Sequence, residues 1–348
     1  MARIVIADST NRYDGRSLAT QPLGGTESSV CYMAAALARR GHEVVCHTNC
    51  DGPIEHDGVA WRPLAGPGPE SPDVYVAVQH PRLLGFARAP KRRVIWMLWR
   101  PNNLRHYKQI ARVWWYRPRP IFISAYQASE YSRLLPPLDR TRIVAHALPD
   151  AVRGMRPLPA PPLPQAIFAS NPSRHLDWLI GVWSRLILPR VPTATLQIYG
   201  IRDYGHRYGR AWSGPPIEPY LPPGLSDAGR ASLRVEATAT REALWAAMRA
   251  SRVMLYGSHK SEMFCLSVAE AQALGVPAVV RPIAVLPERV RDGETGFIRA
   301  DDEGFAEAAV RLLSDDGLWR VQHEAALRLQ QGHDWDEAGA AFERALFD

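Results

Sequence analysis

Cysteine is scarce in this sequence: only Cys31, Cys46, Cys50 and Cys265 occur. Their spacing fits neither a disulfide framework nor a paired zinc motif, and Cys46 with Cys50 supplies at most half of a metal site. Long apolar runs are also missing, since none approaches the roughly 18 residues of a transmembrane helix. The start, MARIVIADS, has the pattern of a buried strand and lacks the cationic leader and cleavage site of a signal peptide. We therefore expect a cytoplasmic protein with reduced thiols.

Composition indicates a globular protein of more than one domain. The chain has 348 residues, of which 46% are apolar and 22% charged, and this balance is unlike that of a disordered sequence. The length predicts two domains of about 150 to 180 residues each. The net charge of +7 is distributed unevenly, because residues 82–140 contain thirteen lysines and arginines against only Glu130 and Asp139.

Alternating strands and helices predict an α/β protein with parallel sheets. The predicted strands of the first half are short apolar runs, at residues 3–7, 43–47, 74–78, 93–98, 121–124 and 141–145. A helix is expected over residues 28–40. Residues 156–165, RPLPAPPLPQ, are predicted to form a semi-rigid linker, because proline fits neither a helix nor a central strand. The expected domains are residues 1–155 and 166–330, followed by a final amphipathic helix within residues 331–348.

Residues 254–281, MLYGSHKSEMFCLSVAEAQALGVPAVVR, predict a compact unit of strand, loop, helix and strand. An apolar strand is followed by a polar loop, which leads into a helix that begins near residues 264–266. Gly275 ends this helix, and a second apolar strand begins at Pro277. The free N–H groups and the positive dipole end of such a helix favour phosphate binding.

Two acids, Glu262 and Glu270, flank the predicted start of this helix. Glu262 falls in the loop and Glu270 within the first two turns, so the helical rise separates them by roughly 12 Å. This distance is close to the reach of a nucleoside diphosphate sugar from hexose to ribose. One acid for sugar hydroxyls, one for ribose hydroxyls and helix amides for the diphosphate would form a complete donor site. The alternative is that both are ordinary solvated glutamates.

The segment EMFCLSVAEAQALGVPAVV resembles the signature of the retaining GT-B glycosyltransferases of family four, in the subgroup where Glu-X-Phe-Cys replaces Glu-Gly-Phe-Gly. The resemblance implies an α/β GT-B fold, with two Rossmann-like domains whose parallel sheets face each other across a cleft. It places the acceptor on the N-terminal domain and the donor on the C-terminal domain, with a final helix that crosses back. It also implies a reaction that needs no metal and no cofactor. Glu262 is then expected near the donor sugar and Glu270 on the ribose.

Other positions match the family pattern in part. Gly24-Gly25-Thr26-Glu27 matches a Gly-Gly-X-Glu that faces the donor diphosphate, although paired glycines also serve simply to form tight turns. Arg174 matches a cation that stabilises the departing diphosphate, and it is the expected catalytic residue together with Glu262. His175 stands where relatives have glycine, and Ser170 stands near a frequent arginine. The expected donor-binding residues are Gly24, Gly25, Arg174, Glu262, Met263, Phe264, Cys265, Leu266 and Glu270.

The expected acceptor-side residues are Glu27, His80, Trp99 and Arg100. His80 and Trp99-Arg100 follow predicted strands, and ligands collect at the strand ends of an open α/β sheet. His80 is also consistent with an ordinary polar loop residue. The chain departs from the family here, because relatives carry a histidine where Trp99-Arg100 stands and an Asn-Gly near His146.

The basic segment, residues 82–140, has two interpretations. Its aromatic residues are typical of packing positions: Trp96, Trp99, Trp114, Trp115 and Tyr116. In the second interpretation, basic and aromatic side chains form a patch that binds anionic lipid. The patch consists of Trp114, Trp115, Arg105, Lys108, Arg112, Arg117 and Arg119. Nucleic acid is not expected as a partner, because no RNA-binding or DNA-binding signature accompanies the charge.

These features predict a retaining glycosyltransferase that moves a hexose from a nucleoside diphosphate sugar, with UDP favoured over GDP, to a glycan or a lipid-linked saccharide. We also expect the protein to make peripheral contact with the cytoplasmic face of an anionic membrane. Asp334-Trp335-Asp336 is predicted to start the last helix, not to bind a metal. Residues 201–233 have the composition of an insertion near the cleft or of a surface excursion. The alternatives are a nucleotide-sugar epimerase of the same fold and a basic lipid- or polyanion-binding protein with a degenerate cleft.

Overall fold

The structure is a computed structural model that describes residues 1–21, 23–101, 104, 106–200, 217–236 and 240–348. Arg105 of the basic segment and residues 201–216 of the predicted insertion lie outside the described residues. Within the described part of the chain, no helix is both long enough and apolar enough to cross a membrane.

The chain folds as two compact units. Unit 1 contains Met1–Ala147 and His333–Asp348, and unit 2 contains Leu148–Gly332. The first boundary therefore lies ahead of residue 155, because the segment before the proline-rich stretch is held by unit 2. There the backbone N–H of Gly154 donates to Gln331 Oε1 at 2.6 Å.

Unit 1 is built on an eight-stranded sheet in the order β3-β4-β2-β1-β5-β6-β7-β8. The strands are β1 (Arg3–Ala7), β2 (Glu43–Thr48), β3 (Ile54–His56), β4 (Val59–Pro63), β5 (Val74–Val78), β6 (Arg92–Trp96), β7 (Arg119–Phe122) and β8 (Arg142–Ile143). The α-helices are α1 (Ser17–Thr20), α2 (Gly25–Arg39), α3 (Tyr107–Tyr116), α4 (Ala125–Ser129) and the terminal helix Trp335–Phe347. A 3₁₀ turn spans Pro81–Gly85.

The sheet of unit 1 is parallel apart from the antiparallel β3–β4 pair. All five residues of β5 are buried, as are four of the five in β1, which fits strands that are covered on both faces. Strands β3 and β4 were not expected from the sequence. The strand expected at residues 141–145 contains only Arg142–Ile143.

The terminal helix packs on α2 within unit 1. Asp334 is its N-cap: the Asp334 carboxylate accepts from the backbone N–H of Glu337, and the Glu337 side chain accepts from the backbone N–H of Asp334. A Cβ at Gly339 would lie 3.0 Å from the Cβ of Ala36, so the small residue allows the two helices to approach closely. The Asp-X-Asp triplet therefore begins a helix in this structure.

Unit 2 is built on a six-stranded parallel sheet. The strands are β9 (Gln165–Ala169), β10 (Thr195–Tyr199), β11 (Leu233–Val235), β12 (Val253–Tyr256), β13 (Ala278–Val280) and β14 (Gly296–Ile298). The helices are α5 (Leu176–Val182), α6 (Asp227–Ala231), α7 (Arg241–Arg249), α8 (Leu266–Ala273), α9 (Asp302–Ser314) and α10 (Asp316–Leu329). Shorter turns are the π-helical turn Trp183–Ile187 and the 3₁₀ turns Asp150–Val152, Glu218–Tyr220 and Leu286–Glu288.

The strand order of unit 2 is β11-β10-β9-β12-β13-β14. Numbered from the start of the unit, this order is 3-2-1-4-5-6, which is the doubly wound Rossmann order. The direction of winding reverses between β9 and β12. In open α/β sheets, ligands bind at the carboxyl ends of the strands on either side of such a reversal.

Candidate functional site

The loops that follow β9 and β12 lie side by side at this switch point. The two strands are hydrogen-bonded in parallel, with Val253 opposite Ala166 and Met254 opposite Ile167. Residues 170–175 therefore leave the sheet next to residues 257–265, and the second loop leads directly into α8. The segment that carries Glu262 and Glu270 is thus positioned at the reversal of strand order.

Glu262 is held by a buried tyrosine at the end of β12. The hydroxyl of Tyr256 donates to Glu262 Oε2 at 2.5 Å, and Ser170 Oγ lies 3.3 Å from the same hydroxyl. Burial raises the pKa of Tyr256 well above its ordinary value, and the nearby Glu262 charge adds to this shift. Tyr256 therefore remains a proton donor that orients the Glu262 carboxylate.

Arg174 meets Glu262 from the neighbouring loop. Its Nη1 donates to Ser261 Oγ at 2.7 Å and lies 3.9 Å from Glu262 Oε2. The ring of His259 supports the same serine, with Nδ1 at 2.8 Å from Ser261 Oγ. A cation and an acid are thereby placed side by side, each fixed by a hydroxyl group.

Left-handed backbone at three positions shapes these two loops. His175, Ser258 and Cys265 have φ values of 62°, 69° and 65°. His175 is the residue that stands at a glycine position of the resembling family, and its backbone adopts the conformation that glycine enters without steric cost.

Gly257 is required for close packing between the loops. A Cβ at this position would lie 2.6 Å from Cε3 of Trp178, which belongs to α5. Trp178 is itself fixed, because its Nε1 donates to Asp302 Oδ1 at 2.9 Å. The loop that carries Glu262 therefore rests directly on the indole of Trp178.

The N-terminus of α8, with its free main-chain amides, follows directly after the loop that carries Glu262. Cys265 is the N-cap residue, and no side chain caps the helix. The side chains of Met263, Phe264 and Cys265 are buried, so these residues can serve a ligand through their backbone. Burial also raises the pKa of the Cys265 thiol, which keeps it protonated and unsuited to nucleophilic attack.

Glu270 is buried on α8 and forms an ion pair with Arg241, the first residue of α7. Only 4% of Glu270 is exposed, so it is not a solvated surface glutamate. The guanidinium of Arg241 also lies over the ring of Trp245, at 5.4 Å from its centroid. A buried carboxylate that is paired with a cation retains acceptor capacity, because it offers about four lone-pair sites.

A second cation lies beside the start of α8. The guanidinium of Arg289 stacks over the ring of Phe264, at 4.3 Å from its centroid. Burial lowers the pKa of Arg289, while Glu288 opposes this shift. Because an arginine side chain stays protonated in proteins, Arg289 still adds positive charge beside the ring of Phe264.

In unit 1, the glycine pair lies at the start of α2. Gly24 is the N-cap, and the Glu27 carboxylate occupies the space that a Cβ at Gly24 would need. Glu27 is only 3% exposed and accepts from Asn11 Nδ2. Neither Gly24 nor Gly25 has a positive φ, so close packing against Glu27 explains Gly24 better than a tight turn does.

The expected acceptor-side residues His80 and Trp99 lie together in unit 1. Their rings meet edge to face at 5.4 Å, and Trp99 Nε1 donates to Thr26 Oγ1 at 2.7 Å. Burial lowers the pKa of His80, with Arg82 adding to the shift, so His80 is neutral near pH 7. Arg100, the other expected acceptor-side residue of this loop, forms an ion pair with Glu130 at 2.6 Å.

A cavity of about 410 Å³ in unit 1 is lined by the segment that follows β1 and by Cys50 and Asp51, which follow β2. Its charged lining is paired internally: Arg12 with Asp51, and Arg16 with Asp14. Such a lining is polar without a net excess of either sign. Sequence inspection did not single out this cavity, because its residues follow no motif.

Residues 165–315 match the family model described as "Glycosyl transferases group 1". Most of unit 2 is therefore similar to group 1 glycosyltransferases. The match covers the whole switch-point site, from Arg174 to Glu270 and Arg289. The resemblance that the sequence suggested is therefore confirmed for this part of the chain.

Curated relatives align with a limited part of the chain. D-inositol 3-phosphate glycosyltransferase of Streptomyces bingchenggensis is 32% identical over 120 residues, which cover 34% of this chain and 25% of that protein. N-acetyl-alpha-D-glucosaminyl L-malate synthase of Bacillus anthracis is 38% identical over 78 residues, which cover 22% of this chain and 20% of that protein. The chain thus spans about a quarter or less of the length of these relatives.

Solved structures match the chain over nearly its full length. Sucrose-phosphate synthase from Thermosynechococcus elongatus has a TM-score of 0.70 at 16% identity, with 98% of both chains covered. Anabaena HepE in complex with UDP-glucose has a TM-score of 0.67 at 13% identity, with 99% of both chains covered. At such identities the likeness shows the fold, and the chain has the GT-B fold that the sequence predicted.

The candidate site in unit 2 contains residues that the sequence did not reveal. Tyr256, Ser261, Arg241 and Arg289 each contact an expected site residue or its immediate neighbour. Two of these contacts, Arg174 with Ser261 and Arg241 with Glu270, join different structural elements, and no local motif signals them. Tyr256 was detectable in principle, because it ends the strand that leads into the site.

Proposed function

We propose that the protein is a retaining glycosyltransferase that transfers a hexose from a nucleoside diphosphate sugar, with UDP favoured over GDP. The observation that carries the proposal is the grouping of Glu262, Arg174 and the start of α8 at the switch point of unit 2, with Glu270 buried on the same helix. The structural neighbour HepE from Anabaena forms complexes with UDP and with UDP-glucose, which supports a uridine donor.

Each part of the site has one proposed task. Glu262 accepts hydrogen bonds from the hydroxyls of the donor sugar, and Glu270 accepts those of the ribose. Arg174 and the amides of residues 264–266 bind the diphosphate, with help from the positive end of the α8 dipole. Gly24 and Gly25 stay proposed donor-binding residues on the family resemblance alone. These groups stabilise negative charge as it develops on the leaving phosphate.

The ion pair with Arg241 is compatible with a ribose-binding role for Glu270. Arg241 donates to Glu270 Oε1, and a carboxylate has about four acceptor sites. Ribose hydroxyls therefore have acceptor sites beyond the one that Arg241 takes. The cation also prevents an uncompensated buried charge, which would be costly in an apolar environment.

The proposed reaction is a front-face displacement. The acceptor oxygen forms a bond to the anomeric carbon on the face from which the diphosphate leaves. The bond between that carbon and the phosphate oxygen breaks with its electron pair on the phosphate, which takes the acceptor proton. We assign no covalent nucleophile and no metal, since Arg174 and the helix amides supply the positive charge.

The proposed acceptor is a glycan or a lipid-linked saccharide, and the proposed compartment is the cytoplasm, at the membrane face when the acceptor is lipid-linked. His80, Trp99 and Glu27 are the proposed acceptor-side contacts in unit 1.

A thermal-shift panel of nucleotides and nucleotide sugars tests the proposal. A ligand that binds only the folded state stabilises it by about 2.7 kcal/mol at one hundred times its dissociation constant. We expect UDP and one UDP-hexose to raise the unfolding temperature more than GDP and GDP-hexoses do. A panel without any shift contradicts the proposal, and epimerised sugar after incubation with donor alone would instead identify an epimerase.

A further inference from the structure

Helix α3 of unit 1 exposes a row of aromatic and basic side chains. We define the α3 face as Tyr107, Lys108, Arg112, Trp114 and Trp115. Tyr107 is 68% exposed, Trp114 43% and Trp115 82%. Tyr107 and Trp114 share one side of the helix at a spacing of seven residues, and Lys108, Arg112 and Trp115 form the adjacent stripe.

The helix is firmly anchored beneath this face. Val113 is buried in the core of unit 1, and Ile110 and Tyr116 pack against the same core. The guanidinium of Arg93 lies over the ring of Tyr116, at 4.7 Å from its centroid. The outer aromatic residues are therefore exposed on a packed helix, and not through fraying of a loose segment.

A neighbouring loop extends the apolar surface. Trp114 Nε1 donates to the backbone carbonyl of Leu134 at 2.9 Å, and the Leu134 side chain is 67% exposed. Among the described residues, four of the exposed large apolar side chains thus lie on α3 or next to it. Soluble monomers rarely expose apolar side chains in such a cluster, so this grouping indicates a binding surface.

The segment that contains the α3 face has charge of one sign. Residues 82–129 contain no aspartate or glutamate. The ammonium group of Lys108 lies 5.7 Å from the ring centroid of Tyr107, and the guanidinium of Arg117 lies 5.7 Å from that of Trp114. Cations and aromatic rings are therefore intermixed on the same surface.

We propose that the α3 face docks on a lipid bilayer that contains anionic lipids. Tryptophan and tyrosine side chains are favoured at the boundary between headgroups and acyl chains, where one end of the ring is apolar and the other is wet. Lysine and arginine on such a helix are attracted to anionic headgroups, and their long stems cover apolar surface. The inference concerns a surface outside the proposed sugar-nucleotide site and does not depend on it.

Other occupants fit the α3 face less well. A second copy of the chain placed symmetrically on this face would bring like charges together. A nucleic acid would pair its phosphates with the cations, but it gives no reason for the exposed side chain of Leu134. The anionic bilayer accounts for both the charge and the apolar surface, and the other two occupants become outcomes of the test.

Co-sedimentation of the full chain with vesicles tests this proposal. Vesicles of phosphatidylcholine alone are compared with vesicles that contain about one-third phosphatidylglycerol. The test variant combines Arg112→Glu with Trp115→Ser. The matched control combines Arg320→Glu with Val321→Ser. These two residues are an exposed arginine and an exposed apolar residue on α10. We expect the parent and the control to bind the anionic vesicles, and the test variant to bind them at least about tenfold more weakly.

Three results would overturn the proposal. The first is equal vesicle binding by the test variant and the parent, and the second is no binding of the parent to anionic vesicles. The third is a parent protein that binds a DNA duplex or associates with itself but binds no vesicles, together with a test variant that has lost this binding or self-association. Activity with a soluble acceptor reports separately on the sugar-nucleotide site, so failure of one proposal is distinguishable from failure of the other.

Discussion

At the scale of single residues, the candidate donor site consists of charged side chains that orient one another. Tyr256 fixes Glu262, and Ser261 fixes Arg174, through hydrogen bonds of 2.5 and 2.7 Å. Glu270 is fixed by its ion pair with Arg241. Groups that are held in this way lose little freedom when a ligand binds, which is the physical advantage of a preorganised site.

Replacing Glu270 by glutamine should weaken donor binding. The change keeps the shape of the side chain but removes the charge that strengthens hydrogen bonds from ribose hydroxyls. We expect the dissociation constant of the preferred nucleoside diphosphate to rise by about tenfold or more, as measured by isothermal titration calorimetry. The matched control is Glu307→Gln on α9, which alters a surface ion pair between Glu307 and Arg190. An unchanged dissociation constant in Glu270→Gln would remove this residue from the site.

Replacing Arg174 by alanine should lower turnover more than donor affinity. The guanidinium is proposed to stabilise charge that grows on the phosphate only as the sugar departs, and removal of such a donor costs roughly a hundredfold to a thousandfold in kcat. Ser261→Ala should give a smaller loss in the same direction, because it removes the hydroxyl that orients Arg174. Arg190→Ala is the surface control. A loss confined to KM, with kcat retained, would show that Arg174 binds donor without assisting the transfer.

At the scale of elements, the site depends on two loops that pack tightly between sheet and helices. Strands β9 and β12 are parallel neighbours, so their loops start at the same edge of the sheet. The left-handed residues His175, Ser258 and Cys265 then turn these loops toward the start of α8. Gly257 allows the second loop to lie on Trp178.

The packing between these loops is testable through Gly257. A Cβ here would lie 2.6 Å from the indole of Trp178, so Gly257→Ala forces a shift of backbone or ring. We expect the free energy of unfolding to fall by about 1 to 3 kcal/mol in urea denaturation. Gly52→Ala is the control, because its Cβ would meet no atom within 4 Å and its φ is not positive. Equal stability of the two variants would contradict the close packing.

Elements with a strong local pattern were predictable from the sequence, and elements set by distant contacts were not. The buried strand β5 and the helix α8 follow from apolar runs with clear ends. The hairpin of β3 and β4 was missed although its Asp57-Gly58 turn is a known hairpin signal, and both residues have positive φ. Strand β8 is shorter than the predicted strand, because its register with β7 ends at Ile143, beyond which only the N–H of Val144 donates to the carbonyl of Phe122.

At the scale of the whole molecule, the chain folds as two units, and the candidate donor site lies in unit 2. The motif of unit 2 was recognisable because Glu262, Glu270 and the start of α8 are close in sequence. The partners Ser261 for Arg174 and Arg241 for Glu270 were not recognisable, since they come from other elements. The basic segment was visible as composition, but only the folded helix shows that Trp96 is buried while Trp115 is exposed.

The most direct measurement is a crystal structure with the nucleoside diphosphate that the thermal-shift panel selects. We predict the diphosphate at the N-terminus of α8 within hydrogen-bonding distance of Arg174, and the ribose hydroxyls on the Glu270 carboxylate. The β-phosphate end should point toward Glu262, where the sugar would attach. A nucleotide bound at another place, or bound with its ribose away from Glu270, would contradict the assignment of the donor site.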